Sequence, residues 1–252
     1  MTARRTVAAL GDEWLKLRTT RAPWLVLVAA LLVVVAGVSG RMAGDADLAD
    51  PATAVGAIGH VGLVSLFTLV LGVLAVAGEH RHRTITDTYL SEPRRGRVLL
   101  AKLAVTGAAG AAVGLVSAVT GVAATAAWYA ADGGSLDVAS GEVLRTAGGG
   151  VAWCTGFAVI GVGLGALVRN LAGAVAVALA WLALVEGVVS ELVGDDVARR
   201  LPFRSGTALG NLPQADAGVA GLTQGQGALT LAAYATVLVA VALSTTVRRD
   251  VS

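Results

Sequence analysis

The residues best suited to chemistry in this 252-residue chain stand in a short polar stretch between two long apolar runs. His80 and His82 form a His-x-His pair directly after Glu79, and that spacing could begin a metal site. Arg81 and Arg83 interleave the histidines, however, and their charges repel a metal cation. No second cluster of His, Cys or Asp residues lies near in sequence to complete four ligands. We therefore predict that the chain binds no metal.

Nucleophilic catalysis also has few candidates in this sequence. Membrane proteases and acyltransferases need a Ser or Cys nucleophile with a His at matching membrane depth. His60 is the one histidine inside a long apolar run, and no G-x-S-x-G motif occurs. Cys154 lies in another apolar run, where a packing role is the simpler interpretation. The sequence thus predicts no catalytic residue, and we expect that the chain is not an enzyme.

The two lysines decide whether the chain could bind ATP by itself. A phosphate-binding P-loop needs the sequence Gly-Lys-Ser/Thr, because the lysine must reach the terminal phosphates from a glycine-rich turn. Lys16 follows Leu15 and Lys102 follows Ala101, so neither lysine fits that motif. We predict that this chain binds no cofactor, and that any ATP and Mg²⁺ would bind to a partner subunit.

Two carboxylates stand near the end of the fifth apolar run. Glu186 follows sixteen uncharged residues, and Glu191 comes five positions later. An ionisable residue within a membrane segment is a candidate functional group, and a proton-coupled transporter could use Glu186 as a relay. The alternative interpretation is structural, with both residues at the outer interface or capping an outer cavity, and we favour it.

The composition predicts an all-α integral membrane protein. Hydrophobic residues make up 56% of the chain and charged residues only 14%, too few to cover a soluble domain of this length. Because a bilayer core needs about 20 apolar residues of helix, six segments qualify as spans. They form one transmembrane domain over residues 1–252, with spans at about 23–40, 55–78, 103–130, 146–168, 171–193 and 228–247. Gly110 with Gly114 and Gly161 with Gly165 match the small-xxx-small pattern of closely packed helices.

The distribution of basic residues predicts the orientation in the membrane. With the N-terminus inside, fourteen Lys and Arg residues fall on the inner side and five on the outer side. This is a positive-inside bias, so we predict that both termini are cytoplasmic. The net charge of +2 does not indicate nucleic-acid binding, because the basic residues lie in short loops between apolar runs.

Two segments are too polar to span. Val7, Leu10, Trp14 and Leu17 recur on one face of a helix, which predicts an amphipathic interfacial helix at about 5–20 before the first span. We placed Glu13 and Lys16 on its other faces. An outer loop with short helices is predicted for 194–227, which is rich in Gly, Pro and Gln.

The polar stretch of residues 79–102 contains a predicted short helix, Thr84 to Leu90, that ends before Pro93. Thr84 or Thr86 could cap it, and Asp87 falls in its first turn. A cytoplasmic location explains the arginines of this loop, but it does not explain a short helix that carries apolar side chains. Apolar groups exposed on a cytoplasmic loop favour a protein partner, and the helix offers three of them, Ile85, Tyr89 and Leu90.

With these features in this order along the sequence, the chain resembles permease subunits of the type-2 ABC exporter family, in particular the six-span actinobacterial kind. Three stretches carry the resemblance: EWLKLRTTRAPW from Glu13, EHRHRTITDTYLSEPRRGRVLLAK from Glu79, and GLGALVRNLAGAVAVAL from Gly163. Together with the span count they cover essentially the whole chain. One departure is Arg83, where many relatives have glycine.

The resemblance implies a cell-membrane exporter in which two permease copies, or a copy and a sibling, bind two cytoplasmic ATPase subunits. The short helix would dock into a groove on the ATPase, and the N-terminal helix would brace the same surface. The implied coupling residues are Glu79, Thr84, Ile85, Thr88, Tyr89, Leu90, Pro93 and Arg97. The implied residues of the interfacial helix are Glu13, Trp14, Lys16, Leu17 and Arg18. A substrate, hydrophobic or amphipathic, would leave the cytoplasm along the subunit interface.

Two other classes of protein compete with this interpretation. A proton-coupled secondary transporter could use Glu186, but that class typically has broken helices and buried carboxylates in its spans, and these spans are nearly free of charge. An intramembrane enzyme would need the nucleophile and base that the sequence lacks.

Overall fold

A computed structural model describes residues 2–44, 47–82, 84–168, 170–212 and 221–248. Arg83 and Arg169, both used to predict the orientation, lie outside these residues. The described residues contain helices and connecting turns but no strand. In chain order the α-helices are α1 (Thr2–Thr19), α2 (Ala22–Met42), α3 (Pro51–Ile58), α4 (Val64–Arg81), α5 (Ile85–Ser91), α6 (Arg95–Ala131), α7 (Gly141–Val168), α8 (Leu171–Ala180), α9 (Asp195–Ala198), α10 (Pro202–Leu209) and α11 (Gln224–Arg248).

Six helical stretches are long and apolar enough to cross a membrane, which confirms the predicted all-α membrane class. Two of them are compound: α3 and α4 join through a 3₁₀ turn at Gly59–Leu63, and α8 continues into a π-helix at Trp181–Val188. The longest, α6, has 37 residues and is therefore about 55 Å long, well beyond a bilayer core of about 30 Å. Its first turns, predicted as loop, thus extend the helix past the membrane.

Helix α7 lies at the centre and packs against α4, α6 and α11. Glycines allow the closest approaches: a Cβ at Gly161 would lie 2.1 Å from the carbonyl oxygen of Leu69 on α4. On α6, a Cβ at Gly110 would lie 2.6 Å from the Cβ of Ala158 on α7. Small residues thus bring the backbones together where lipid supplies no hydrophobic driving force. The predicted glycine pairs lie at these two contacts.

The first, fifth and sixth membrane helices lie at the edge of the bundle and are the least covered by the rest of the chain. On α2 the buried side is a stripe at intervals of four residues, listed in order as Val26, Ala30, Val34, Val38 and Met42. The opposite side of the helix exposes large apolar side chains, including Trp24, Leu25 and Leu32. Such a face suits lipid or another membrane helix.

At the predicted outer end, two short helices cover the bundle. The predicted outer loop of 194–227 contains α9, α10 and the first residues of α11, while its residues 213–220 lie outside the described part. Helix α10 packs against α7, where Phe203 and Trp153 meet edge to face with ring centroids 5.0 Å apart. A Cβ at Gly206 would lie 2.1 Å from the Trp153 ring, so only glycine permits this contact.

Gly161 gives a test of the central packing. Gly161→Val should lower the free energy of unfolding by about 3 kcal/mol or more, because its side chain meets the backbone of α4 and not a flexible side chain. Gly148→Val is the matched control on the same helix, since no atom lies within 4 Å of a Cβ there. Thermal unfolding of the purified proteins in detergent compares the two, and an equal loss in both would contradict the packing argument.

Candidate functional site

Helix α5 is the short helix predicted between the second and third spans, shifted by one residue to Ile85–Ser91. Thr84 occupies the N-cap position but its side chain makes no capping hydrogen bond. Pro93 lies in the break before α6, as expected of a residue that cannot continue a helix. We call the end of the bundle that holds α5, the last turn of α4 and the first turns of α6 the inner end. Its cytoplasmic location stays a prediction.

The side chains of α5 divide between the bundle and the solvent. Ile85 and Thr88, three residues apart on one face, are both buried. The expectation that Ile85 is an exposed apolar group was therefore wrong: its face of the helix turns inward. Leu90 is 77% exposed, as expected of a docking residue. Tyr89 is half-buried, with the guanidinium of Arg95 5.2 Å from the centre of its ring.

Four charged side chains form a closed cluster beside α5. The ammonium of Lys16 donates hydrogen bonds to Glu13 at 2.8 Å, to Glu79 at 2.8 Å and to the Thr88 hydroxyl at 3.0 Å. The ammonium of Lys102 donates to the same two carboxylates, at 2.8 Å to Glu13 and 2.7 Å to Glu79. The cluster thus joins α1, α4, α5 and α6 through direct hydrogen bonds.

The cluster is electrically balanced and largely buried, although 41% of the Lys16 side chain is exposed. Lys102 is only 2% exposed, and Glu13 is also buried. Isolated charges in such surroundings would cost several kcal/mol each, so the two ammonium and two carboxylate groups must stay together. Burial alone would lower the pKa of Lys16, but its hydrogen bonds to Glu13 and Glu79 raise that pKa above its usual value. Lys16 therefore carries its positive charge throughout the physiological pH range.

Lys102 is the member of this cluster that the sequence did not single out. The P-loop argument considers it only as a lysine that follows Ala101, and its pairing with Glu13 crosses 89 positions of sequence. One signal was available: the chain has two lysines among nineteen basic residues. A flexible ammonium can bridge several carboxylates, and both lysines do so here.

Helix α1 turns a different face inward from the one its pattern suggested. Ala9 and Glu13 are buried against α6, and Leu17 packs on the core at the end of the same stripe. Trp14 and Arg18 are exposed, as is Val7 on the apolar face. Glu13 lies on a different face from Val7 and Trp14, as expected, but that face is the one packed against α6, where Lys102 binds its carboxylate.

A second ion pair closes the turn between α5 and α6. The guanidinium of Arg97 donates to the carboxylate of Glu92, which also accepts the backbone N–H of Arg94. The hydrogen bond from Arg97, followed by that from Arg94, lowers the pKa of Glu92. Arg97, predicted as a coupling residue, therefore holds the turn that follows α5.

At the opposite end of the bundle, Glu186 has a structural task. Its carboxylate accepts the backbone N–H groups of Phe203 at 2.7 Å and Arg204 at 3.0 Å, which belong to the first turn of α10. A carboxylate at a helix N-terminus satisfies donors that have no partner within the helix. Glu191 is exposed and lies 3.6 Å from the guanidinium of Arg204. The favoured structural interpretation of Glu186 agrees with this geometry.

Glu186 also borders an apolar cavity of about 280 Å³. The cavity lies between α4, α7, the fifth membrane helix and α11, and its walls include the aromatic side chains Phe157, Trp181 and Tyr234. Because the Glu186 carboxylate already binds two backbone N–H groups, it closes this cavity toward α10.

His60 and His80 each contact a backbone carbonyl oxygen close to them in sequence. His60 contacts the carbonyl oxygen of Ala57 at 2.9 Å, and His80 contacts that of Val76 at 3.1 Å. Among the residues the structure describes, no group of three or more His, Cys, Asp or Glu side chains could hold a metal ion. The His60 ring also packs against α2, where a Cβ at Gly37 would lie 2.3 Å from it.

No protein-family model and no curated protein matches this chain.

Lys102 tests the charge cluster. Lys102→Met should lower the free energy of unfolding by about 3–5 kcal/mol, because it leaves two buried carboxylates with one ammonium. Adding Glu13→Gln restores neutrality and should recover part of the loss, which thermal unfolding in detergent can measure. Arg94→Met removes a positive charge from an exposed position nearby and is the control. Equal stability of Lys102→Met and this control would contradict the cluster's role.

Substitutions of Glu186 test whether its carboxylate holds the N-terminus of α10. Glu186→Ala should cost about 1–3 kcal/mol of stability, since two backbone N–H groups of α10 lose their acceptor. Glu186→Gln keeps an acceptor oxygen and should lose less. Glu191→Ala, at an exposed position, should change stability by no more than about 0.5 kcal/mol in the same unfolding assay. A Glu186→Ala protein as stable as Glu191→Ala would exclude the capping role.

Proposed function

We propose that this multi-pass membrane protein is the permease subunit of an ATP-driven exporter of the type-2 ABC kind, in the plasma membrane of a bacterium. It would move an unidentified hydrophobic or amphipathic substrate out of the cytoplasm. ATP and Mg²⁺ would bind to a separate ATPase subunit, because neither lysine of this chain stands in a P-loop motif.

One observation carries the proposal: α5 is bonded directly to the helices that it would have to move. Thr88 on α5 accepts a hydrogen bond from Lys16 of α1, and Lys16 in turn binds Glu79 at the end of α4. Lys102 then joins Glu79 to α6. A displacement of α5 by a closing ATPase would therefore reach α4 through two hydrogen bonds and α6 through three. Such a linkage lets ATP binding shift the population between two arrangements of the bundle.

The surface around α5 also suits a protein partner. A cleft of about 370 Å³ separates α1 from α5 and is lined by polar side chains such as Asp12, Asp87 and Ser91. Leu15 borders this cleft, and Leu90 lies on α5, which forms one side of the cleft; both leucines are well exposed. Apolar groups at the rim of a polar cleft are typical of a docking surface. We assign this surface to the ATPase.

A second permease copy is part of the proposal. The first, fifth and sixth membrane helices leave broad apolar faces uncovered. A homodimer could cover part of these faces and would enclose a pathway between the two copies. Lipid would cover the remainder.

The competing proposal is a proton-coupled transporter that uses Glu186. A relay needs a carboxylate that is free to exchange protons, whereas the Glu186 oxygens are held by two backbone N–H groups of α10. We therefore favour the ATP-driven exporter. Loss of transport in a Glu186→Gln protein that keeps its stability would favour the proton-coupled alternative.

Leu90 tests the docking assignment. The chain is expressed together with a candidate Walker-motif ATPase encoded near its gene, and the complex is isolated through a tag on the permease. Leu90→Asp should reduce the ATPase recovered by at least about tenfold, because a charge replaces an exposed apolar contact. Membrane insertion should be unchanged, since the side chain makes no core contact.

Val138→Asp is the matched control for this experiment. Val138 is also an exposed apolar residue, but it lies between α6 and α7 at the predicted outer end. It should leave ATPase recovery at the wild-type level. The assignment is overturned if Leu90→Asp retains its ATPase, or if both variants lose it equally. Absence of any Walker-motif protein encoded near the gene would weaken the exporter proposal itself.

A further inference from the structure

A cavity of about 600 Å³ lies at the inner end, between α1, the start of α2, α4 and α6. We call it the inner cavity. Its apolar walls come from three membrane helices and from α1, with the side chains Leu17, Leu71, Leu74, Ala75 and Val105. The volume is within the range of about 300–1,000 Å³ that ligand sites occupy. One part of the cavity could therefore accept an apolar chain.

The charge cluster forms the polar wall of the inner cavity but offers no net charge to a ligand. Glu13, Lys16 and Glu79 line the cavity, and Lys102 binds the two carboxylates from behind. Lys16 uses all three of its N–H donors within the cluster. Two positive and two negative charges cancel, so the cluster neither attracts nor needs an ionic ligand.

Arg21 is the cavity's uncompensated charge. It lies at the corner between α1 and α2, lines the cavity and is exposed. Within the described ranges, no carboxylate comes within ion-pair distance of its guanidinium. His82 lines the same cavity and can only add positive charge. The ligand that complements this cavity is therefore an anion with an apolar tail.

The position of the cavity identifies the source of such a molecule. Trp24 lies in the first turn of α2, three residues after Arg21, and is 61% exposed, as an aromatic anchor at the membrane interface should be. Arg21 therefore lies at headgroup depth. Basic pockets between membrane helices on the cytoplasmic side bind anionic lipid headgroups.

We propose that the inner cavity binds one anionic phospholipid of the cytoplasmic leaflet. The phosphate binds the Arg21 guanidinium, and an acyl chain lies along Leu71, Leu74 and Val105. The bound lipid would pack against the wall formed by Glu13, Lys16 and Glu79, and so against the link between α5 and the spans. This inference rests on the predicted orientation and is independent of the exporter proposal.

Lipid titration tests the site on the full chain alone, without an ATPase. The protein is purified in neutral detergent, and phosphatidylglycerol or phosphatidylcholine is added while bound lipid is counted by native mass spectrometry. The wild type should bind one phosphatidylglycerol at least about fivefold more tightly than phosphatidylcholine, a ratio expected from one arginine near a membrane surface. Arg21→Gln should abolish that preference.

Three further arms keep the result interpretable. Arg5→Gln removes an equal charge from an exposed position of α1 that does not line the cavity, and should keep the preference. Ala75→Trp fills the apolar part and should weaken both lipids while Arg21 stays in place. Glycerol phosphate, the headgroup without chains, should not compete at concentrations equal to the lipid.

Several outcomes would overturn the proposal. Equal affinity of the wild type for the two lipids would exclude a charge-selective site. A preference that survives Arg21→Gln would place the anion elsewhere, and competition by glycerol phosphate as strong as that by the lipid would indicate a free-anion site. Because no ATPase is present, failure of the exporter proposal would leave these measurements unchanged.

Discussion

The inner end of this protein depends on the cost of burying charge. Glu13 and Lys102 are buried and Glu79 is nearly so, and each such ion would cost several kcal/mol by itself. They are stabilised because they form one neutral, hydrogen-bonded set with the partly exposed Lys16. This requirement forces three helices to meet within hydrogen-bond distance at one point. It also explains why α1 turns Glu13 inward, and why α6 continues past the bilayer to carry Lys102. The charge set requires α1, α4 and α6 to keep positions in which these hydrogen bonds form.

The rest of the bundle follows a different rule, that of close packing by small residues. Lipid is as apolar as the side chains of the spans, so transferring leucine from lipid to a helix interface gains little free energy. The helices therefore associate where their backbones can approach closely. The glycines of α4, α6 and α7 provide those approaches, and the helices with few such contacts remain at the edge. At the outer end a buried carboxylate appears again: Glu186 satisfies the N-terminus of α10. Each end of the packed core thus contains carboxylates that are bound by N–H donors of other helices.

The short helix α5 illustrates how far local sequence reasoning reaches. Its existence and its limits were predictable to within one residue, because a proline and a change of polarity act over a few positions. The direction of its faces was not predictable, because Ile85 is buried by neighbours that are distant in sequence. The same division applies to α1, whose apolar stripe was evident while the inward position of Glu13 depended on lysines in α1 and α6.

By itself the sequence determined the all-α class, the six membrane helices and the lack of a P-loop lysine, since hydropathy and short motifs are properties of neighbouring residues. Only the tertiary structure decided what the two lysines do. They join carboxylates 63 and 89 positions away. Patterns among residues one helical turn apart do not indicate pairs that are so distant in sequence. Pairing of buried charges is a property of the packed bundle, because the low dielectric that demands a partner exists only after the helices have assembled.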